Sequence, residues 1–118
     1  MQYLLMLYTD EKLLSAMSPE ENQRFYAEFM KVTAEIKESK HYVGGNPLQT
    51  ISTATTVRVR NGKAQRTDGP FAETREQLGG YYLIEANDLD EACALAARIP
   101  SARLGSIEVR PVRPMPKL

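Results

Sequence analysis

The chain reads as an α+β domain in a ferredoxin-like arrangement, an antiparallel sheet with two helices on one face. Three observations predict this. The order of elements is β-α-β, an inserted hairpin, then β-α-β. Right-handed crossovers place both helices on the same side of the sheet. The length, 118 residues, suits one core spanning 1–118 and leaves no room for two.

Taken in order, Tyr3 to Tyr8 is apolar and short, bounded by Thr9-Asp10-Glu11, and reads as a strand without apolar/polar alternation. Ser18-Pro19-Glu20-Glu21 is a helix start: Ser18 can cap, Pro19 suits the first helical position and Glu21 completes a capping box. Phe25, Phe29, Val32 and Ile36 then recur at helical spacing, with Tyr26, Met30 and Thr33 widening the stripe, so the helix extends to about Ser39. His41-Tyr42-Val43 is extended and stopped by the breakers Gly44-Gly45-Asn46-Pro47.

Thr53 to Arg60 alternates Thr55, Val57 and Val59 with Thr56, Arg58 and Arg60. Asn61-Gly62 makes the tight turn, and the polar return strand Lys63 to Thr67 puts this hairpin at an edge or projecting from the sheet. Gly79-Gly80 leads into the strand Tyr81 to Ala86. Asp88 with Glu91 caps a second helix, whose stripe is Ala92, Leu95, Ala96 and Ile99 and whose end is Pro100. Ser106 to Val112 is the last strand, and residues 113–118 form an extended, Pro-rich tail.

Two helices cover one face of such a sheet, yet Tyr3 to Tyr8 and Tyr81 to Ala86 carry apolar groups on both. A second copy packed on the open face, giving a homodimeric α/β barrel, is the simplest cover. The alternative is an open face whose Tyr side chains bind a ligand.

Composition excludes some functions. Fifteen basic and fifteen acidic residues leave a formal net charge of +0, with no cationic surplus for direct nucleic-acid binding. One Cys, Cys93, rules out an internal disulfide and a multi-thiolate metal centre, and its place beside the second helix's stripe suggests packing. No metal, cofactor or membrane association is expected. The apolar start lacks the basic residues and cleavage site of a signal peptide, so a cytoplasmic location is expected.

The string Asp68-Gly69-Pro70-Phe71-Ala72-Glu73-Thr74-Arg75-Glu76 closely resembles the signature of the DGPF group of YCII-related proteins. The resemblance extends through Thr55 to Arg60, Gln77 to Tyr82, Ala96 to Pro100 and Glu108 to Val112, covering essentially the whole chain. It implies a ferredoxin-like fold whose sheets pack face to face in a dimer. It also implies kinship with small enzymes of the dimeric α/β-barrel class, and an association of some members with extracytoplasmic-function sigma factors. A His–Asp pair proposed as catalytic in shorter YCII relatives has its His on the first helix. This first helix has none, and His41 follows it.

Among candidate site residues, Asp68 before Gly-Pro can serve as a general base or simply cap its turn. His41, the one His, can shuttle protons near neutral pH or be satisfied at a helix end. Arg58 can meet an anion or the acidic run that holds Glu73. Phe71, Tyr8, Tyr81 and Tyr82 can line an apolar cavity between sheet and hairpin, or be core and dimer contacts. Two functions follow: a ligand-binding or regulatory dimer, and a cofactor-free enzyme with acid/base chemistry at Asp68, assisted by His41 or Arg58.

Overall fold

The computed structural model describes residues 1–117. Its elements in chain order are β1 (Gln2–Thr9), α1 (Glu11–Ser15), α2 (Pro19–Glu38), β2 (Tyr42–Pro47), β3 (Thr55–Arg60), β4 (Lys63–Asp68), β5 (Gln77–Glu85), α3 (Leu89–Ala97), α4 (Ser101–Leu104) and β6 (Ser106–Pro111). Four strands form an antiparallel sheet in the order β2-β5-β1-β6. This is the ferredoxin-like order, with β3 and β4 pairing apart from it as a separate hairpin. No helix among the described residues is long and apolar enough to cross a membrane.

The helix starts follow their sequence signals. Ser18 Oγ accepts a hydrogen bond from the Glu21 amide at 3.1 Å, and the Glu21 carboxylate accepts one from the Ser18 amide at 3.2 Å. Asp88 caps α3 by accepting from the Glu91 amide at 2.9 Å. In the hairpin turn both Asn61 (φ 53°) and Gly62 (φ 74°) are left-handed, the conformation that a tight two-residue turn requires.

Alternation along β1 sorts its side chains. Tyr3, Leu5 and Leu7 point under the helices and are buried with Tyr82 and Ile84 of β5, Ile36 of α2, Leu95 of α3, and Ile99. Leu4, Met6 and Tyr8 point to the other face, where Tyr81 and Leu83 join them, and all five are only half-buried in a single chain. The apolar residues of both faces therefore belong to a sheet with one covered side.

Several elements depart from expectation. Gly44-Gly45-Asn46-Pro47 does not stop β2 but carries it along β5. The reason is close approach: a Cβ on Gly45 would lie 2.7 Å from the Tyr81 carbonyl oxygen. Strand β5 begins at Gln77, four residues before Tyr81, because this longer β2 and the end of β1 pair with it there. The short helices α1 and α4 were not expected. Asp10 caps α1 through the Lys12 amide at 2.9 Å, and Pro100 starts α4 after α3 has already ended at Ala97. Cys93 is exposed on α3 and does not pack into the core. Within the expected tail of residues 113–118, residues 113–117 have no regular structure, and Leu118 lies outside the described residues.

Two substitutions probe what holds this frame. Ile36→Ala empties the fully buried contact by which α2 meets the sheet and should cost about 2–5 kcal/mol in urea unfolding. Gly105→Ala drives a methyl into the Tyr8 carbonyl oxygen, so β6 must move from β1; a loss of about 3 kcal/mol is expected in the same assay.

Candidate functional site

Helix α2 has 20 residues, yet Ile36 near its C-terminal end is the only one fully buried. Val32 and Phe29 pack against the core's margin, whereas Tyr26 and Met30 are 66% and 56% exposed. The N-terminal half of the helix therefore stands over the sheet without closing on it. Between them lies a cavity of about 440 Å³, the size of a small-molecule site.

Its walls come from separate elements. Phe25, Tyr26, Phe29 and Met30 descend from α2, Leu7 and Thr9 rise from β1, and Tyr42, Gly45 and Asn46 come from β2. Gln77, Gly80, Tyr81 and Tyr82 enter from β5, and Glu11 and Leu14 from α1. Phe25 and Phe29 meet edge to face at 5.3 Å between ring centres, and Tyr42 meets Tyr82 likewise at 6.3 Å. Rings dominate the surface, and a few polar groups punctuate it.

Those polar groups are held in place. Tyr82 Oη and Thr33 Oγ1 are 2.5 Å apart, bridging sheet to helix. Burial pushes the Tyr82 phenol above its ordinary pKa, against the opposing effect of the Thr33 bond, so it is neutral at physiological pH. On the sheet's other face, Asn46 Nδ2 donates to Tyr81 Oη at 3.0 Å, tying β2 to β5 behind the cavity. Gln77 Oε1 accepts from the Glu11 amide at 2.9 Å, and Glu11 Oε2 accepts from the Ile51 amide at 3.0 Å. Glu11 thereby ties α1, the segment after β2 and the start of β5 around the cavity's end.

The residues singled out from sequence are dispersed. Tyr82 points to the helix side and lines the cavity; Tyr81 borders the same space, but its side chain lies on the opposite, open face of the sheet. Tyr8 lies half-buried on the open face of the sheet. Asp68 is exposed at the end of β4, opposite Thr55, and neither its carboxylate nor that of Glu73 is hydrogen-bonded among the described residues. The turn after Asp68 is held instead by Gly69 N–H donating to Ala54 O at 2.8 Å, and by Thr56 Oγ1 donating to Gly69 O at 2.8 Å. Phe71 is 80% exposed in the loop that follows.

Arg58 faces Gln65 across the hairpin, with Arg60 and Lys63 paired beside it on a basic face. His41 is engaged at both ring nitrogens, Nδ1 with Ser39 Oγ at 2.7 Å and Nε2 with Glu91 at 3.1 Å, which fastens the end of α2 to the start of α3. Within one chain nothing joins His41 to Asp68.

Cavity residues without a site role in the sequence reading include Glu11, Asn46 and Gln77, and Phe25, Phe29 and Thr33, expected only as the helix stripe. One signal was present: the stripe of α2 is aromatic and wide in its first half, more than the sheet beneath can bury.

Comparison with known proteins supplies the family. A model of the YCII-related domain matches residues 1–116. The chain belongs to the YCII-related family. An uncharacterized protein of Rhizobium meliloti (strain 1021) is 39% identical over 114 residues, spanning 95% of this chain and 92% of that one. Among solved structures, the 5-chloro-2-hydroxyhydroquinone dehydrochlorinase TftG of Burkholderia phenoliruptrix AC1100, in complex with 2,5-dihydroxybenzoquinone, superposes with a TM-score of 0.56. It is 15% identical, over 96% of this chain and 94% of that chain, a likeness of fold.

The burial of the Tyr82 phenol can be read by titration. Tyr82→Phe should lower stability at neutral pH by about 0.5–1.5 kcal/mol. Because the folded-state pKa is raised, the phenol's contribution is complete below its ordinary value of 10.0 and is lost as pH rises through the folded value. Chemical unfolding of both proteins should therefore show their difference shrinking above pH 10; a gap that widens there contradicts the assignment.

Proposed function

We propose that this YCII-related protein is a homodimeric small-molecule-binding protein whose site is the cavity under the N-terminal half of α2. The observation that carries the reading is the cavity itself. Side chains that would ordinarily complete a core leave about 440 Å³ open, and fixed polar groups converge on it. The TftG complex, a protein of the same fold with a small ring compound bound, supports this use of the architecture.

Three features support the homodimer. Leu4, Met6, Tyr8, Tyr81 and Leu83 form an apolar sheet face that no element among the described residues covers. The hairpin β3–β4 stands away from the body with Val57 and Val59 about 60% exposed. An isolated two-stranded hairpin is marginal in water, so this one is expected to rest on something. The radius of gyration, 16.4 Å, exceeds the roughly 13–14 Å of a compact chain of this length. In a face-to-face dimer of the α/β-barrel type, the hairpin and its loop, with Arg58, Phe71 and Glu73, would lie against the partner.

A cofactor-free enzyme is the second reading, favoured by a specific observation: the neutral Tyr82 phenol stands at the cavity, where it can donate to a substrate oxygen. The structural neighbour's activity, a dehydrochlorinase, points the same way. Acid/base chemistry at Asp68 with His41 would need the second protomer to bring groups together that one chain keeps apart.

Two measurements test the proposal. Light scattering at micromolar concentration should give twice the 13.3 kDa chain mass; the single-chain mass removes the dimer. A metabolite-library thermal-shift screen should find compounds that raise the melting point. Asn22→Trp, a change at an exposed cavity-lining position, should abolish that rise while leaving the unliganded melting point nearly unchanged. A rise that survives Asn22→Trp places the ligand elsewhere.

A further inference from the structure

The cavity's charge is one-sided. Among the described residues that line it there is no Lys, Arg or His, and Glu11 is the one carboxylate. Glu11 is half-buried. Its Oε2 accepts from the Ile51 amide, while Oε1 has no protein partner among the described residues. A carboxylate drawn partly out of water with an unused oxygen favours a cation close by.

The rest of the wall has the same preference. Phe25, Tyr26, Phe29, Tyr42 and Tyr82 line the space with aromatic rings, whose faces carry negative potential. The chain already uses one of them this way: the Lys37 ammonium sits 4.8 Å from the centre of the Tyr42 ring. Lys37 itself is exposed and is not part of the lining, so solvent screens its repulsion of a second cation. An anionic ligand entering this space would meet Glu11 and ring faces without a basic side chain to balance it.

Resting on the cavity as the binding site, we infer that its ligand is an organic amine: an apolar or aromatic body carrying an ammonium group. The rings enclose the body, and the ammonium donates to Glu11 Oε1.

Three probes of nearly one size and differing charge separate the possibilities: 2-phenylethylammonium, 2-phenylethanol and phenylacetate, each titrated into isotope-labelled protein and followed by amide shifts of Gly45 and Gly80. The ammonium should bind about tenfold more tightly than the alcohol, and phenylacetate should bind most weakly. In Glu11→Gln, which keeps an acceptor for the Ile51 amide, the ammonium's advantage should fall to about twofold or less. If the alcohol binds as tightly as the ammonium, or phenylacetate binds best, the amine assignment is overturned and the cavity stands as a site for another ligand class. If no probe moves these amides at millimolar concentration, both the amine and the cavity reading fail.

Discussion

The position at which α2 docks sets the character of this molecule. A 20-residue amphipathic helix would ordinarily press its whole apolar stripe on the sheet. Here it meets the core at Ile36 and, through Thr33, at the Tyr82 hydroxyl. Beyond that contact the helix continues for more than three turns toward the capping box at Ser18, over a part of the sheet that has Gly79-Gly80 and Gly45 in place of bulky side chains. The cavity follows from that contrast: large rings above, small residues below, and a pinned helix that cannot settle to close the gap.

The same pinning explains why the site's polar groups are ordered without a ligand. Tyr82 and Thr33 satisfy one another, and Glu11 is fixed by the Ile51 amide. Each bond joins elements distant in sequence, so the groups are positioned by the packing of the domain and not by a local motif. Such preorganisation reduces the ordering cost of binding. His41 illustrates the opposite case. Its two ring bonds to Ser39 and Glu91 make it a fastener between the helices, which serves the core at the other end of α2 from the cavity.

The two faces of the sheet divide the remaining work. One is occupied by α2 and α3 and holds the cavity; the other leaves Leu4, Met6, Tyr8, Tyr81 and Leu83 half-buried, and the hairpin pairs apart from the sheet. Packing a second copy against that face would stabilise the sheet from behind while leaving the mouth of the cavity to the helix side. Binding and association can in this way be built on opposite sides of one layer.

Much of the architecture was legible in the residues. The capping box at Ser18, the Asp88 cap, the Asn61-Gly62 turn and the apolar strands at both ends of the chain all act over a few residues, so local chemistry decided them. The doubly apolar first strand was readable for the same reason: the pleat alone assigns Tyr3, Leu5 and Leu7 to one face and Leu4, Met6 and Tyr8 to the other. Gly44-Gly45 was not readable, because its meaning lies in the distance to a strand nearly forty residues away, where a missing Cβ lets β5 approach. The cavity was hidden for a related reason. An aromatic stripe looks alike whether it meets a full core or an empty one, and only the tertiary structure, by docking α2 mainly at one end, decided that Phe29 would sit at the core's margin and Phe25 beyond it over open space, with Glu11 at its edge.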